Sequence, residues 1–428
     1  MIDAMIEAYA RWPDVEVPET KVIGHRWSPP SFAVRDFLAR NAVPYRWFAS
    51  DEPEGTRLLQ AAGLTAETLP VVIIPDGTAL VAPSTVELAD AVGLSTTPAT
   101  DFYDLVVVGG GPAGLGAAVY GASEGLRTLL VERQATGGQA GQSARIENYL
   151  GFPDGVSGAQ LTDRARRQAA RFGAEILTTR DVTGLTVKGP ARVVTFGDGS
   201  QVAAHAVIIA TGVSYRELEA PGIADLSGRG VYYGSASTQA LECADRDVCI
   251  VGGANSAGQA AVFFARTAKS VTLIVRGEAL ERSMSHYLIE QLRSIDNISV
   301  RLCTVIAEVH GDGHLEGVRL RHVPSGSSEQ LDASHMFVFI GAQPRTDWLA
   351  GVLERDQRGF LLTGPDLLMA GRRPAGWAPG RDPWPLESSV PGVFVAGDVR
   401  ADSVKRVASA VGEGAMAVTL VHRYLGAP

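Results

Sequence analysis

Leu105, Val106, Val107 and Val108 form a short apolar run that ends in Gly109, Gly111 and Gly114. Such a run reads as a buried parallel strand, and the GxGxxG spacing as the turn that hands it on to a helix. The chemistry this supports is dinucleotide binding. One glycine makes the tight turn, one lets the backbone approach a pyrophosphate, and one lets helix and strand pack closely, with the helix N-terminus facing the anion. Pro112 and Ala113 fill the turn, and the Ala-rich residues 116–125 supply the helix. A second strand, 127–131, ends at Glu132, where a carboxylate would accept a hydrogen bond from a ribose 2′-hydroxyl.

Sulfur chemistry is poorly represented. The three cysteines, Cys243, Cys249 and Cys303, have neither C-x-x-C nor metal-ligand spacing. Cys249 and Cys303 fall in strand-like apolar patterns and read as core residues, while Cys243 follows a helical-looking stretch. The 428 residues are enough for about three domains. With 46% apolar residues, 20% charged residues and abundant glycine, the composition is that of a soluble α/β protein. A formal charge of −9 offers no attraction to nucleic acid or to an anionic membrane. No glycine-free apolar run is long enough to span a bilayer, and Asp3 and Glu7 stand where a secretory signal would carry bases. The expected location is cytoplasmic.

The elements that must position this chemistry begin with an amphipathic helix and loop over residues 1–18. A strand at 21–23 leads through Ser28, Pro29, Pro30 and Ser31 into a helix at 32–41. A strand at 44–48, a helix near 55–63 and a strand at 69–74 follow, with Asp76-Gly77 as a hairpin turn. A last strand and helix end near Gly93. This β-α-β-α-β-β-α order resembles the thioredoxin/glutaredoxin fold over about residues 19–95. The resemblance implies a cis proline at Pro70 and places that family's C-x-x-C in the turn after the first strand, where Ser28 and Ser31 stand here. A hydroxyl supplies no useful thiolate and forms no disulfide; Ser31 or Ser28 reads as a plain helix N-cap.

From Phe102 to the C-terminus the chain resembles the low-molecular-weight thioredoxin reductases among the flavoprotein disulfide reductases. Gly137-Gly138-Gln139 and the stretch from Ile146 to Pro153, containing Asn148, match that family's flavin-side segment, which implies FAD contacts for Gly138, Gln139 and Asn148. Ala210-Thr211-Gly212 matches its A-T-G turn, and Gly397-Asp398 its late FAD fingerprint, whose Asp hydrogen-bonds the ribityl chain. Lys405, Arg406, Val407 and Ala408 open a helix resembling the one aimed at the flavin C2 carbonyl, where the dipole stabilises negative charge.

A second strand-turn-helix unit, with strand 247–251, turn 252–257 and helix 258–267, resembles the family's nicotinamide-binding domain. Gly252, Asn255, Ser256 and Ala257 match its pattern, but the second fingerprint glycine is Ala254. The arginines that grip a 2′-phosphate are reduced to Arg276, with Arg282 as a possible substitute. No acid ends the adjoining strand at 271–275, which favours NADPH over NADH; a domain that binds no nicotinamide is the alternative. The family's redox disulfide belongs near 234–238, where Gly234, Ser235, Ala236 and Ser237 stand instead.

The resulting expectation is an α/β protein with two Rossmann-like domains, the nicotinamide domain inserted in the FAD domain, behind an N-terminal thioredoxin-like α/β domain. The boundaries are 1–95 for the thioredoxin/glutaredoxin-like domain without C-x-x-C and 96–101 for a linker. The FAD-binding domain takes 102–222 and 337–428, and the NAD(P)H-binding-like domain 223–336. The function expected is an NAD(P)H-dependent FAD oxidoreductase passing electrons to a ferredoxin-like protein, a quinone, oxygen or a small molecule. The alternatives are an FAD enzyme, or a redox-sensing or binding flavoprotein, that does not use NADPH. The resemblance implies a homodimer. The Arg-, Pro- and Trp-containing segment 371–386 reads as a solvated insertion, with a lid or partner site as the alternative.

Overall fold

The structure, a computed structural model, describes residues 19–143, 145–233, 240, 242–368 and 372–426. It divides into two units, Met1–Val92 and Gly93–Pro428. The amphipathic helix expected over residues 1–18 lies outside the described residues.

In the first unit, β1 (Thr20–Gly24), β2 (Tyr45–Ala49), β3 (Val71–Ile73) and β4 (Ala79–Val81) form a sheet in the order β2-β1-β3-β4. β1 and β2 are parallel, and β3 is antiparallel to both β1 and β4. Helices Pro29–Arg40, Pro53–Ala61 and Thr85–Ala91 accompany it. Val22, Ile23, Leu38, Val71, Val72 and Leu88 are buried and form the core. The hairpin turns at Asp76-Gly77, where the Thr78 N–H donates to Asp76 Oδ1 at 2.8 Å. The Leu69–Pro70 peptide is cis, as expected. Of the two serines, Ser28 is the N-cap, its side chain accepting from the Ser31 N–H, while Ser31 is buried.

The second unit is built on two sheets. The first contains β5 (Phe102–Val108), β6 (Thr128–Val131), β7 (Glu175–Leu177), β8 (Val182–Lys188), β9 (Ala191–Phe196) and β10 (Gln201–Ile209) in the order β7-β6-β5-β10-β9-β8. A late strand, Val393–Val395, pairs in parallel with β10. The chain leaves this sheet through β11 (Val213–Tyr215) for β12 (Val231–Tyr233), β13 (Asp247–Val251), β14 (Ser270–Ile274) and β15 (Ile298–Arg301). An antiparallel trio follows, β16 (Thr304–His310), β17 (Gly317–His322) and β18 (Ser328–Asp332), before β19 (His335–Val338). The second sheet has the order β12-β19-β13-β14-β15, parallel throughout. The return is through β20 (Ala342–Pro344), paired antiparallel with β11, to β21 (Val393–Val395). Val106, Val107, Val207, Ile208, Phe394 and Val395 are completely buried, the two-sided burial that parallel sheets require.

Two helices start earlier than their hydrophobic patterns suggest. The first runs Pro112–Ser123, because Gly111 takes the N-cap and the fixed φ of Pro112 suits the first helical turn. The second runs Asn255–Phe264 behind Ala254. Cys303 is not a strand residue: it sits between β15 and β16 at φ 52°, partly exposed. Cys243 is buried in a turn.

The described part of the insertion, 372–386, is a loop with more than half of its residues exposed, as expected of a solvated segment, and it is anchored at Arg381. Arg381 forks onto the fully buried Glu387 at 2.6 and 2.9 Å. Its guanidinium also stacks on Trp384, 3.3 Å from the ring centroid. Among the described residues, no helix is long and apolar enough to cross a membrane, and no cluster of His, Cys, Asp or Glu is placed to hold a metal.

Candidate active site

The parallel strands β5, β10 and β21 bring their C-terminal ends together, where open α/β sheets bind ligands. The Ala210 N–H donates to the Val108 carbonyl at 2.7 Å and the Ala396 N–H to the Ile209 carbonyl at 3.0 Å. This places Gly109, Ala210 and Ala396 at one level of the sheet, with Gly397 the next residue along. Gly109 has φ 107°, and a β-carbon there would stand 2.4 Å from the Ala210 carbonyl oxygen. Gly111 is the opposite case: a β-carbon would meet only the Gly138 Cα, at 4.0 Å. The backbone at Gly111 thus faces open space above the start of the Pro112–Ser123 helix.

Glu132 sits at the end of β6, one strand over. Its Oε2 accepts from the Gly110 N–H at 2.7 Å and its Oε1 from the Gln134 N–H at 2.9 Å. The Gly137 N–H donates to the Gly110 carbonyl at 2.7 Å, which lays the 137–139 segment across the glycine turn. Gln139 Nε2 donates to the Val213 carbonyl at 2.8 Å, tying that segment to the strand after Ala210-Thr211-Gly212. Thr211 Oγ1 bonds the Arg345 carbonyl at 3.4 Å. Asn148 is exposed on the loop closed by the Ile146–Val156 bridge and joins none of these hydrogen bonds among the described residues.

At the far side, Gly397 and half-buried Asp398 follow β21. Burial pushes the Asp398 carboxyl above its usual range; Lys405 opposes this and Glu413 adds to it. The Val407–Leu425 helix packs on Pro112–Ser123, with Arg406 as an N-cap that makes no side-chain cap bond and with Arg406 and Ala408 exposed. Helices beginning at Pro29, Thr85 and Gly158 are closed by Ser28, Ser84 and Ser157. Those beginning at Pro112, Asn255 and Val407 have no side-chain cap, as is also true of those at Pro53 and His286, so no cap side chain occupies the N–H groups of their first turns.

In the second sheet, Gly252 follows β13, and the Phe339 N–H donates to the Val251 carbonyl at 2.6 Å. Ala254 is exposed with φ −104°, an ordinary conformation for alanine. Asn255 is committed internally: its Oδ1 accepts from the Ser285 N–H at 2.8 Å and bonds Ser285 Oγ at 2.9 Å. Ser283 Oγ donates to the Gly253 carbonyl at 2.7 Å. Ala257 is buried and Ser256 exposed. Arg276 is exposed beyond β14, and Arg282 forms an exposed pair with Glu278 at 3.4 Å. The slot at Gly234, Ser235, Ala236 and Ser237 lies outside the described residues.

The family model for pyridine nucleotide-disulphide oxidoreductases matches residues 103–414. The chain belongs to this family. Within the family it is 35% identical to the thioredoxin reductase of Mycolicibacterium smegmatis over 323 residues, 76% of this chain and 96% of that protein. It is 34% identical to the bifunctional thioredoxin reductase/thioredoxin of Mycobacterium leprae over 334 residues, 78% of this chain and 68% of that one. Among solved structures it is similar to Lactococcus lactis thioredoxin reductase, with a TM-score of 0.67 and 27% identity over 76% of this chain and 99% of the other. This pyridine nucleotide-disulphide oxidoreductase is thus an FAD flavoprotein of the thioredoxin reductase type, with Rossmann-like FAD and NADPH domains; that family uses FAD and NADPH. The residues present fit such groups: an open backbone at Gly111, uncapped helix starts and Glu132 at the end of β6.

Sequence reading missed Glu413, Arg400, Ser283 and Ser285. Glu413 lies between Gly412 and Gly414 on the last helix, where an acid looks like a solvated residue. Its carboxylate instead accepts from the Gly397 N–H and from Arg400, each at 2.7 Å.

Proposed function

We propose that this oxidoreductase takes reducing equivalents from NADPH through FAD and passes them to an acceptor that is not a disulfide, such as a ferredoxin-like protein, a quinone, oxygen or a small molecule. The observation that carries this reading is the state of the cysteines. Thiol–disulfide exchange needs an attacking thiolate and a second sulfur to resolve it. The chain has three cysteines, and none lies in C-x-x-C spacing or in a disulfide. Burial pushes the Cys249 thiol up to about 12 and raises that of Cys243, so neither supplies a thiolate near neutral pH.

When bound, FAD supplies the chemistry of accepting a hydride from nicotinamide and releasing its two electrons to an acceptor. The chain's own residues bind and orient. In this reading Gly109, Gly111, Pro112, Ala113 and Gly114 cradle the pyrophosphate against a helix N-terminus, and Glu132 takes the ribose. Gly138, Gln139, Asn148 and Ala210-Thr211-Gly212 flank the isoalloxazine side. Asp398, after Gly397, orients the ribityl chain, and the helix start at Arg406, Val407 and Ala408 faces the flavin carbonyl. Gly252, Ser256 and Ala257 line the nicotinamide nucleotide, with Arg276 and Arg282 at its 2′-phosphate, while Asn255 shapes that turn through Ser285. The FAD-binding domain comprises 102–222 and 337–428, and the NADPH-binding domain 223–336. The first unit keeps a thioredoxin-like scaffold without its dithiol and serves as a docking surface. The protein works as a cytoplasmic homodimer.

The test is anaerobic addition of NADPH, then NADH, to the purified yellow protein while following the flavin band at about 450 nm. Bleaching by NADPH, with turnover on a quinone or ferricyanide and none on a disulfide substrate, is the expected result. Absence of bleaching would favour a flavoprotein served by another donor. Reduction of thioredoxin would overturn the choice of acceptor.

A further inference from the structure

Glu413 satisfies two partners with one carboxylate at the end of β21. Its Oε2 accepts from the Gly397 N–H and its Oε1 from Arg400 Nη2, both at 2.7 Å. The side chains of Glu413 and Arg400 are only 16% and 18% exposed, so the pair is largely removed from water. Charges in that position are tolerated when they are paired and hydrogen-bonded; here both Arg400 Nη atoms are bonded, while its buried Nε has no partner among the described residues. Arg400 is itself fixed: its Nη1 donates to the Ala401 carbonyl at 3.0 Å, and its backbone bridges to Leu361. Glu413 thus clamps the backbone amide of the residue immediately before Asp398 from the last helix, across the gap between helix and sheet.

We propose that Glu413 is a positioning residue for FAD, which fixes the Gly397-Asp398 turn through the Gly397 amide. The proposal rests on the reading of this turn as part of the FAD site. The charged groups acting on Asp398 are Lys405 from the segment before the last helix and Glu413 from the helix itself, and they act in opposite directions. With Glu413 ionised, Asp398 holds its proton more strongly, so FAD held by the Asp398 carboxylate is released at a higher pH on acidification than it would be without that charge.

The experiment uses the full-length holoprotein and the variant Glu413→Gln, which keeps one hydrogen-bonding contact and removes the charge. Flavin fluorescence released on dilution gives the dissociation constant at each pH, and circular dichroism confirms the fold. The expected result is an affinity at least about tenfold weaker, the effect of losing one hydrogen bond to a charged group, together with an acid release midpoint moved to lower pH. Affinity within twofold (about that of the wild type), or a weakened affinity with an unmoved midpoint, overturns the proposal, since a purely structural contact would not move the midpoint. Should Glu413→Gln fail to fold, Glu413→Asp is read instead. Withdrawing the carboxylate by one methylene is expected to weaken FAD while keeping the midpoint, and unchanged affinity overturns the proposal. A wild-type protein that holds no FAD would defeat the reading of the site itself, a separate outcome.

Discussion

Gly397 approaches Ala113 so closely that a β-carbon on the glycine would stand 2.8 Å from that of the alanine. One residue comes from the end of β21 and the other from the first turn of the Pro112–Ser123 helix, and their contact joins early and late parts of the chain at one point. Gly397 also has φ 80°, a conformation open to few residues with a side chain. Gly397→Ala is expected to destabilise the protein by about 1–3 kcal/mol and to lower flavin content in the purified protein. Thermal unfolding and the flavin-to-protein absorbance ratio check this.

Glu132 bonds two backbone amides, at Gly110 and Gln134. Glu132→Ala removes both acceptors together with the carboxylate assigned to the ribose. At about 1.5–3 kcal/mol for a hydrogen bond to a charged group, FAD affinity should fall roughly ten- to hundredfold. Fluorescence titration of the FAD-free protein measures the change.

Arg381 and Glu387 are unequal partners, since the glutamate is fully buried and the arginine side chain is 27% exposed. Arg381→Ala leaves that carboxylate without its main counter-charge, and breaking a buried pair in this way costs about 3–5 kcal/mol. Adding Glu387→Gln should recover part of the loss. Urea unfolding of the single and double variants checks the order of stabilities.

Asp398 gives a pH dependence of known sign. Its carboxyl is raised in the folded state by burial, with Lys405 opposing and Glu413 assisting. The folded protein therefore binds its proton more tightly than the unfolded chain does. The favourable contribution is complete below the ordinary carboxylate value and is lost as pH rises through the folded one. Asp398→Asn in the FAD-free protein should raise the Tm at neutral pH and leave it unchanged in acid, even as FAD binding weakens. Thermal melts at both pH values decide this.

The cysteines separate by access. Cys303 is partly exposed, while Cys243 and Cys249 are buried. Iodoacetamide at mildly alkaline pH should label Cys303 in the folded protein and the other two only after denaturation, as peptide mass spectrometry would register.

The strand pattern was legible because buried parallel strands announce themselves as apolar β-branched runs: the strand read at 247–251 is β13 as found. Helix starts were less legible, because glycine turns and Pro112 carry no helical periodicity even though Gly111 and Ala254 fix where helices begin. Asn255 was legible as a turn residue, but not as the partner of Ser285, since that bond spans 30 positions. Glu413 was hidden for the same reason: its meaning comes from Gly397, which another element delivers. The Arg381–Trp384 stack could not be foreseen in a segment rich in charge, because burial of Glu387 is what draws the arginine inward.

Tyr215 and Ala342 are register partners in the antiparallel pair of β11 and β20. The whole excursion through the second sheet therefore starts and finishes at neighbouring points. Such an insert has adjoining ends, the geometry that makes a segment separable. Joining Tyr215 to Ala342 by a tight turn would convert the paired strands into a simple hairpin and excise the cassette without leaving a gap in the sheet that carries Gly109, Ala210 and Gly397.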